Sequence, residues 1–107
     1  MAWQLSYYSP RVAEQVERWP VDVRASYGRI AEAMMEHGPD LGLPRTRAMG
    51  AGLFEVRAKG REGIGRAFFC TLIGKRIVIL HAFVKKSEKT PDRELKLARK
   101  RLKEVKA

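Results

Sequence analysis

The chain is poor in cysteine, in acidic residues and in long apolar runs, and each shortage excludes something. A single cysteine, Cys70, rules out an internal disulfide framework and fits a reducing compartment. It lies among Phe69, Thr71 and Leu72, the setting of a small buried hydrophobe rather than an activated thiolate. No apolar run approaches the roughly 20 residues of a membrane span, so no membrane partner is expected. The opening MAWQLSYYSP lacks a charged segment followed by a long apolar core. No signal peptide is therefore expected, and the default location is cytoplasmic. Acids are outnumbered: 12 Asp+Glu face 22 Lys+Arg, for a net charge of +10. Such an excess favours polyanions, mainly nucleic acid or an acidic protein. Paired carboxylates, a Cys/His cluster and a serine nucleophile elbow are all missing, so neither metal nor cofactor is expected. The GREGIG run at 60–65 joins two strands with no helix after it, so it is not a phosphate-cradling loop.

What is present suits one compact domain of 107 residues. Trp3, Leu5 and Tyr7 alternate with polar neighbours and predict a short strand. Ser9-Pro10 supplies a cap followed by proline at the first helical position, and Val12, Val16 and Trp19 continue at helical spacing. Pro20 ends that helix and can open the next. Val23, Tyr27, Ile30 and Met34 mark a second amphipathic helix, closed by His37-Gly38-Pro39. His37 is most simply a partner for the helix dipole. Residues 40–52 read as loop, with Leu43 and Met49 tucked against the core and Arg45 and Arg47 exposed. Three strands follow, over residues 53–59, 64–73 and 76–85, with turns at 60–63 and 74–75. The third is nearly all apolar, as a strand covered on both faces would be. Thr90-Pro91 caps a last helix striped by Leu95, Ala98, Leu102 and Val105. The order is β-α-α-β-β-β-α: an α+β domain with helices packed on one face of an antiparallel sheet.

Strand alternation places the charges. A loop at 60–63 sets Lys59 opposite Ile64, Arg57 opposite Arg66 and Glu55 opposite Phe68. Two arginines across from each other destabilise a sheet unless an anion sits between them, and Glu55 offsets this only in part. That conflict is what a phosphate-binding surface looks like, although a solvated basic face reads the same way from spacing alone. Phe68 beside them could stack on a base of single-stranded RNA. His81, within the third strand, fits packing and hydrogen bonding better than catalysis. Lys85 and Lys86 close that strand and point to opposite faces. Residues 85–107 hold ten Lys/Arg and four acids, a basic face suited to an RNA backbone or an acidic partner.

Four features in this order resemble the phage-derived Gp49-like branch of the RelE/HigB toxins of type II toxin–antitoxin modules. They are GPDLGLP at 38–44, LFEVR at 53–57, the hairpin with Arg66-Ala67-Phe68-Phe69, and HAFVKKSEKTP at 81–91. The resemblance covers nearly all of the chain and implies a single RelE/ParE-like toxin domain over residues 1–107, with the N-terminal helix pair on a small RelE-like sheet and a C-terminal helix. It implies an mRNA endoribonuclease (mRNA interferase) that inhibits translation at the ribosome. Cleavage in such toxins is a metal-independent attack of the RNA 2′-OH on the adjacent phosphate. On that resemblance Arg57, Arg66 and Lys85 are the expected catalytic cations. Lys59, Arg61, Phe68, His81 and Lys86 are the expected RNA contacts. Many RelE-type toxins also carry a tyrosine after the last strand, whereas Tyr7, Tyr8 and Tyr27 here are all N-terminal.

The partners implied are the ribosome, mRNA and a cognate antitoxin with an acidic docking surface and a helix-turn-helix, in a toxin–antitoxin hetero-oligomer. Two other readings share the scaffold. One is a non-catalytic toxin of the ParE type that inhibits DNA gyrase, and the other is a phage-derived nucleic-acid-binding module.

Overall fold

The computed structural model describes residues 2–85 and 91–106. The elements run β1 (Gln4–Tyr7), α1 (Pro10–Glu17), α2 (Val21–His37), β2 (Thr46–Gly50), β3 (Leu53–Gly60), β4 (Gly63–Leu72), β5 (Arg76–Lys85) and α3 (Asp92–Lys106). The α+β architecture read from the sequence is present, with one strand more than expected. Thr46–Gly50, expected as loop, pairs antiparallel with β3 across a bulge at Ala48/Gly50. The bulge and a buried Thr46 at one end erase the period-two pattern that would have announced the strand.

The five strands lie in the order β1-β5-β4-β3-β2. β3, β4 and β5 form the expected antiparallel meander, but β1 pairs parallel to β5, so the sheet is mixed rather than antiparallel. β5 therefore has a neighbour on each side, as its apolar sequence required.

Both helices of the N-terminal pair start for local reasons. The Ser9 hydroxyl accepts a hydrogen bond from the Val12 N–H, and Pro10 opens α1. Asp22, in the first turn of α2, accepts from the Val23 N–H and from the Arg61 N–H of the β3–β4 turn, so the helix start is tied to the hairpin tip. Gly38 ends α2 with a φ of 98°, a conformation that favours glycine. Val12, Val16, Trp19, Val23, Tyr27, Ile30 and Met34 then pack on one sheet face, against Val56, Ala58, Ala67, Phe69, Ile77 and Ile79. The Tyr7 and Tyr27 hydroxyls meet at 2.8 Å and link β1 to α2.

The C-terminal helix is on the other face. Ala98 and Leu102 of α3 pack against Leu53, Phe68, Cys70, Val78 and Leu80. The expectation that all helices share one face is thus corrected: the sheet is a middle layer, with α1 and α2 on one side and α3 on the other. The physical reason lies in β4 and β5, where both alternating sets of side chains are apolar and each set needs cover. The expectation for the 40–52 stretch is also corrected in part. Leu43 is 63% exposed and Leu41 packs in its place, because the Thr46 hydroxyl accepts from the Leu41 and Gly42 N–H groups and turns the chain between them. Met49 packs against the second core as expected. No helix among the described residues is long and apolar enough to cross a membrane.

Candidate active site: a buried carboxylate under a cationic face

The β3–β4 register is the one read from alternation: Lys59 opposes Ile64, Arg57 opposes Arg66 and Glu55 opposes Phe68. Arg57 and Arg66 are therefore cross-strand neighbours, on the face that carries α3. The anion that such a pair requires is already inside the chain. Glu55 is fully buried. Its Oε1 and Oε2 accept from Arg66 Nη1 at 3.0 and 3.1 Å, and Oε1 also accepts from Arg47 Nη2 at 3.2 Å. Arg57 Nε lies 4.0 Å from the same oxygen. Three arginines thus converge on one carboxylate and leave an excess of positive charge on the face.

The three differ in access. Arg66 is 1% exposed, so its side chain serves Glu55 rather than solvent. Arg57 and Arg47 are 25% and 42% exposed, and these two present the excess charge outward. Arg57 Nε is buried and has no hydrogen-bond partner among the described residues. Arg47, from the strand that sequence reasoning missed, was expected to be exposed but was not placed in the site. Its only signal was a charge at an alternating distance from Thr46, too weak to stand out from a loop.

Lys85 joins the group from the end of β5. It opposes Ile64 and is itself buried. Burial pushes its ammonium pKa below the usual lysine value, and Arg66 adds to this, while the Glu55 carboxylate pulls the other way. Lys86 lies outside the described residues. Lys59 and Arg61 are both exposed, Lys59 near the end of β3 and Arg61 in the turn.

Two expectations on this face are corrected. Phe68 is fully buried beneath α3 and is not available to stack on a base. The half-buried aromatic here is Phe83, which opposes Arg66 across the sheet. Its ring lies 5.9 Å from Phe68 and 5.7 Å from His81. His81 reaches this face because of a bulge. Phe68 pairs with His81 but Phe69 pairs with Ile79, so Leu80 is an extra residue and the alternation of β5 changes phase there. Strict alternation from Ile77 and Ile79 would have put His81 in the α1–α2 core. Instead its Nε2 lies 3.3 Å from Glu94 Oε2 of α3, and its Nδ1 is buried with no hydrogen-bond partner among the described residues. No group of three or more potential metal-binding side chains occurs among the described residues.

A family model described as "Phage derived protein Gp49-like (DUF891)" matches residues 14–103. The chain belongs to the Gp49-like family. No curated protein matches it. Among solved structures, this Gp49-like chain resembles the free, doubly substituted toxin RelE of E. coli, with 17% identity and a TM-score of 0.60 over 95% of this chain and 99% of that one. It also resembles the archaeal RelE–RelB complex from Pyrococcus horikoshii OT3, with 15% identity and a TM-score of 0.57 over 78% and 96% of the two chains. A third is the RelBE2 toxin–antitoxin complex of Mycobacterium tuberculosis, with 16% identity and a TM-score of 0.55 over 81% and 95%. The Gp49-like chain therefore has the RelE fold.

Proposed function

We propose that this Gp49-like protein is the toxin of a type II toxin–antitoxin module. In this reading it is an endoribonuclease that cuts mRNA at the ribosome by attack of a 2′-OH on the adjacent phosphate. The observation that carries this reading is the cation excess around Glu55, with Arg57 and Arg47 turned outward and Lys85 beside them. A phosphate in that reaction gains charge as the 2′-oxygen attacks, and fixed cations in a partly desolvated site stabilise it. Arg57 is the proposed phosphate contact. Arg66 is a positioning residue: it holds Glu55, and Glu55 orients Arg57 and Arg47. Lys85 adds a third cation, Lys59 and Arg61 meet the flanking RNA backbone, and Phe83 takes the stacking role first expected of Phe68. His81, expected as an RNA contact, is buried with its Nε2 against Glu94, so it braces α3 on the sheet and is not placed to exchange a proton with RNA.

Two of the three structures of similar fold are toxin–antitoxin complexes, which supports an antitoxin as partner. An antitoxin with acidic residues would complement the net charge of +10. Induction of the protein in cells tests the reading. Growth arrest is expected for wild type and relief for Arg57→Ala, which removes an outward guanidinium but leaves the Arg66–Glu55 pair. DNA double-strand breaks with intact mRNA would instead indicate a gyrase-directed toxin.

A further inference from the structure

The site face continues round the edge of the sheet. β2 accompanies β3 only as far as the Thr46–Val56 pair and one further bond, from the Arg57 N–H to the Arg45 carbonyl at 2.9 Å. Beyond that bond, among the described residues, no strand flanks Ala58, Lys59 and Gly60 on that side. The gap opens into a cleft of about 530 Å³ between β3, α2 and the segment before β2. That size falls within the roughly 300–1,000 Å³ of small-molecule sites.

Four cations line the cleft: Arg29 from α2, Arg45 before β2, and Arg57 and Lys59 from β3. No acidic side chain lines it among the described residues. Ile30, Pro44 and Ile64 supply apolar surface among them. Arg57 belongs to both places, because its Nε lies 4.0 Å from Glu55 on the sheet face and the residue also lines the cleft. A chain of phosphates bound at Arg57 can therefore run on into the cleft.

From this geometry we infer that the cleft between α2 and the open edge of β3 is a nucleotide-binding subsite. It takes the nucleotide next to the one held at Arg57, with the flanking phosphate on Arg45 and Arg29 and the base against Pro44 and Ile64. The inference rests on the RNA-cleaving reading and adds a direction to it: single-stranded RNA leaves the sheet face over β3 rather than over β5. Cations alone would suit an acidic protein segment equally well. The apolar wall set between them suits a flat base with a phosphate on each side, and this favours the nucleotide.

Arg29 and Arg45 are both exposed, and neither side chain takes part in the Glu55 cluster, so the double variant Arg29→Ala/Arg45→Ala keeps the fold and the site. The probe is a 2′-O-methyl hexanucleotide, which is bound but cannot attack its own phosphate. Fluorescence anisotropy at several salt concentrations reads its affinity for the full-length protein. The double variant should bind it about tenfold more weakly, with a log–log salt slope shallower by about 0.7 for each phosphate that is no longer neutralised. Arg29→Lys/Arg45→Lys should restore most of the slope. Equal affinity of wild type and the alanine variant overturns the subsite and leaves the RNA-cleaving reading in place. A wild type that does not bind the hexanucleotide at all also overturns the subsite, whereas the RNA-cleaving reading stands or falls on new mRNA 5′ ends in induced cells. Displacement of the RNA by oligoglutamate of equal charge at equal concentration would assign the cleft to an acidic protein segment and overturn the nucleotide assignment.

Discussion

Replacing Glu55 by Ala removes the carboxylate that Arg47, Arg57 and Arg66 share, while the Arg66 guanidinium stays buried. Removing one member of a buried charge pair costs up to about 3–5 kcal/mol. Most of the loss comes from Arg66, since Arg47 is half-exposed and its interaction is screened. Urea unfolding should show the loss, and a change under about 1 kcal/mol would mean that Arg66 finds another anion or water. Lys85 gives a second handle at the same scale. Its folded-state pKa is depressed, so between that value and the ordinary lysine value the unfolded chain binds more protons than the folded one. Stability therefore rises with pH across that window, and the charged ammonium is what the folded state penalises. Titration of Lys85 by NMR should place it below 10.5 in wild type and lower still in Glu55→Gln, which removes the carboxylate's upward pull. An upward movement in Glu55→Gln would contradict the described electrostatics.

At the scale of elements, the helix pair sits directly on β4 at Gly65. A methyl group built there would come within 2.6 Å of the Trp19 ring and 2.7 Å of Val23 Cγ1. Gly65→Ala should therefore push α1 and α2 off the sheet and cost about 1–3 kcal/mol, with a changed Trp fluorescence as the local sign. Unchanged emission and stability would mean that the helix pair is not seated there. The elements also mark how far residue pattern carries. The pairing of Arg57 with Arg66 was legible, because alternation and a short turn leave little freedom of register. The cover over that pair was not. Arg66 and Phe68 read as an exposed basic and aromatic face because nothing local in the C-terminal stripe says which side of the sheet α3 will choose. β2 was hidden by its bulge, and with it the place of Arg47. The position of His81 depended on one extra residue, Leu80, which carries no turn signal of its own. Each miss was a tertiary choice or a one-residue irregularity, whereas helices, turns and β3–β4 register follow from local chemistry.

For the whole molecule, the net charge of +10 is divided unevenly in use. Some of it is consumed inside the chain, where Glu55 holds three arginines. Some is tied to the fold, as where Arg99 Nη1 and Nη2 donate to the Gly50 and Met49 carbonyls and Arg101 Nη1 to that of Leu80. Part of the remainder lies on the outward side of Arg57 and Arg47 and round the β3 edge, at Arg29, Arg45 and Lys59. Whether RNA is cut decides the role of that remainder. The direct measurement is a genome-wide map of mRNA 5′ ends after induction, in wild type and Arg57→Ala, with translation active and with translation initiation blocked. New 5′ ends within translated mRNA should appear for wild type, should fade when initiation is blocked, and should be strongly reduced in Arg57→Ala. Arrested growth with no new 5′ ends, or ends unchanged in Arg57→Ala, would contradict an RNA-cleaving role.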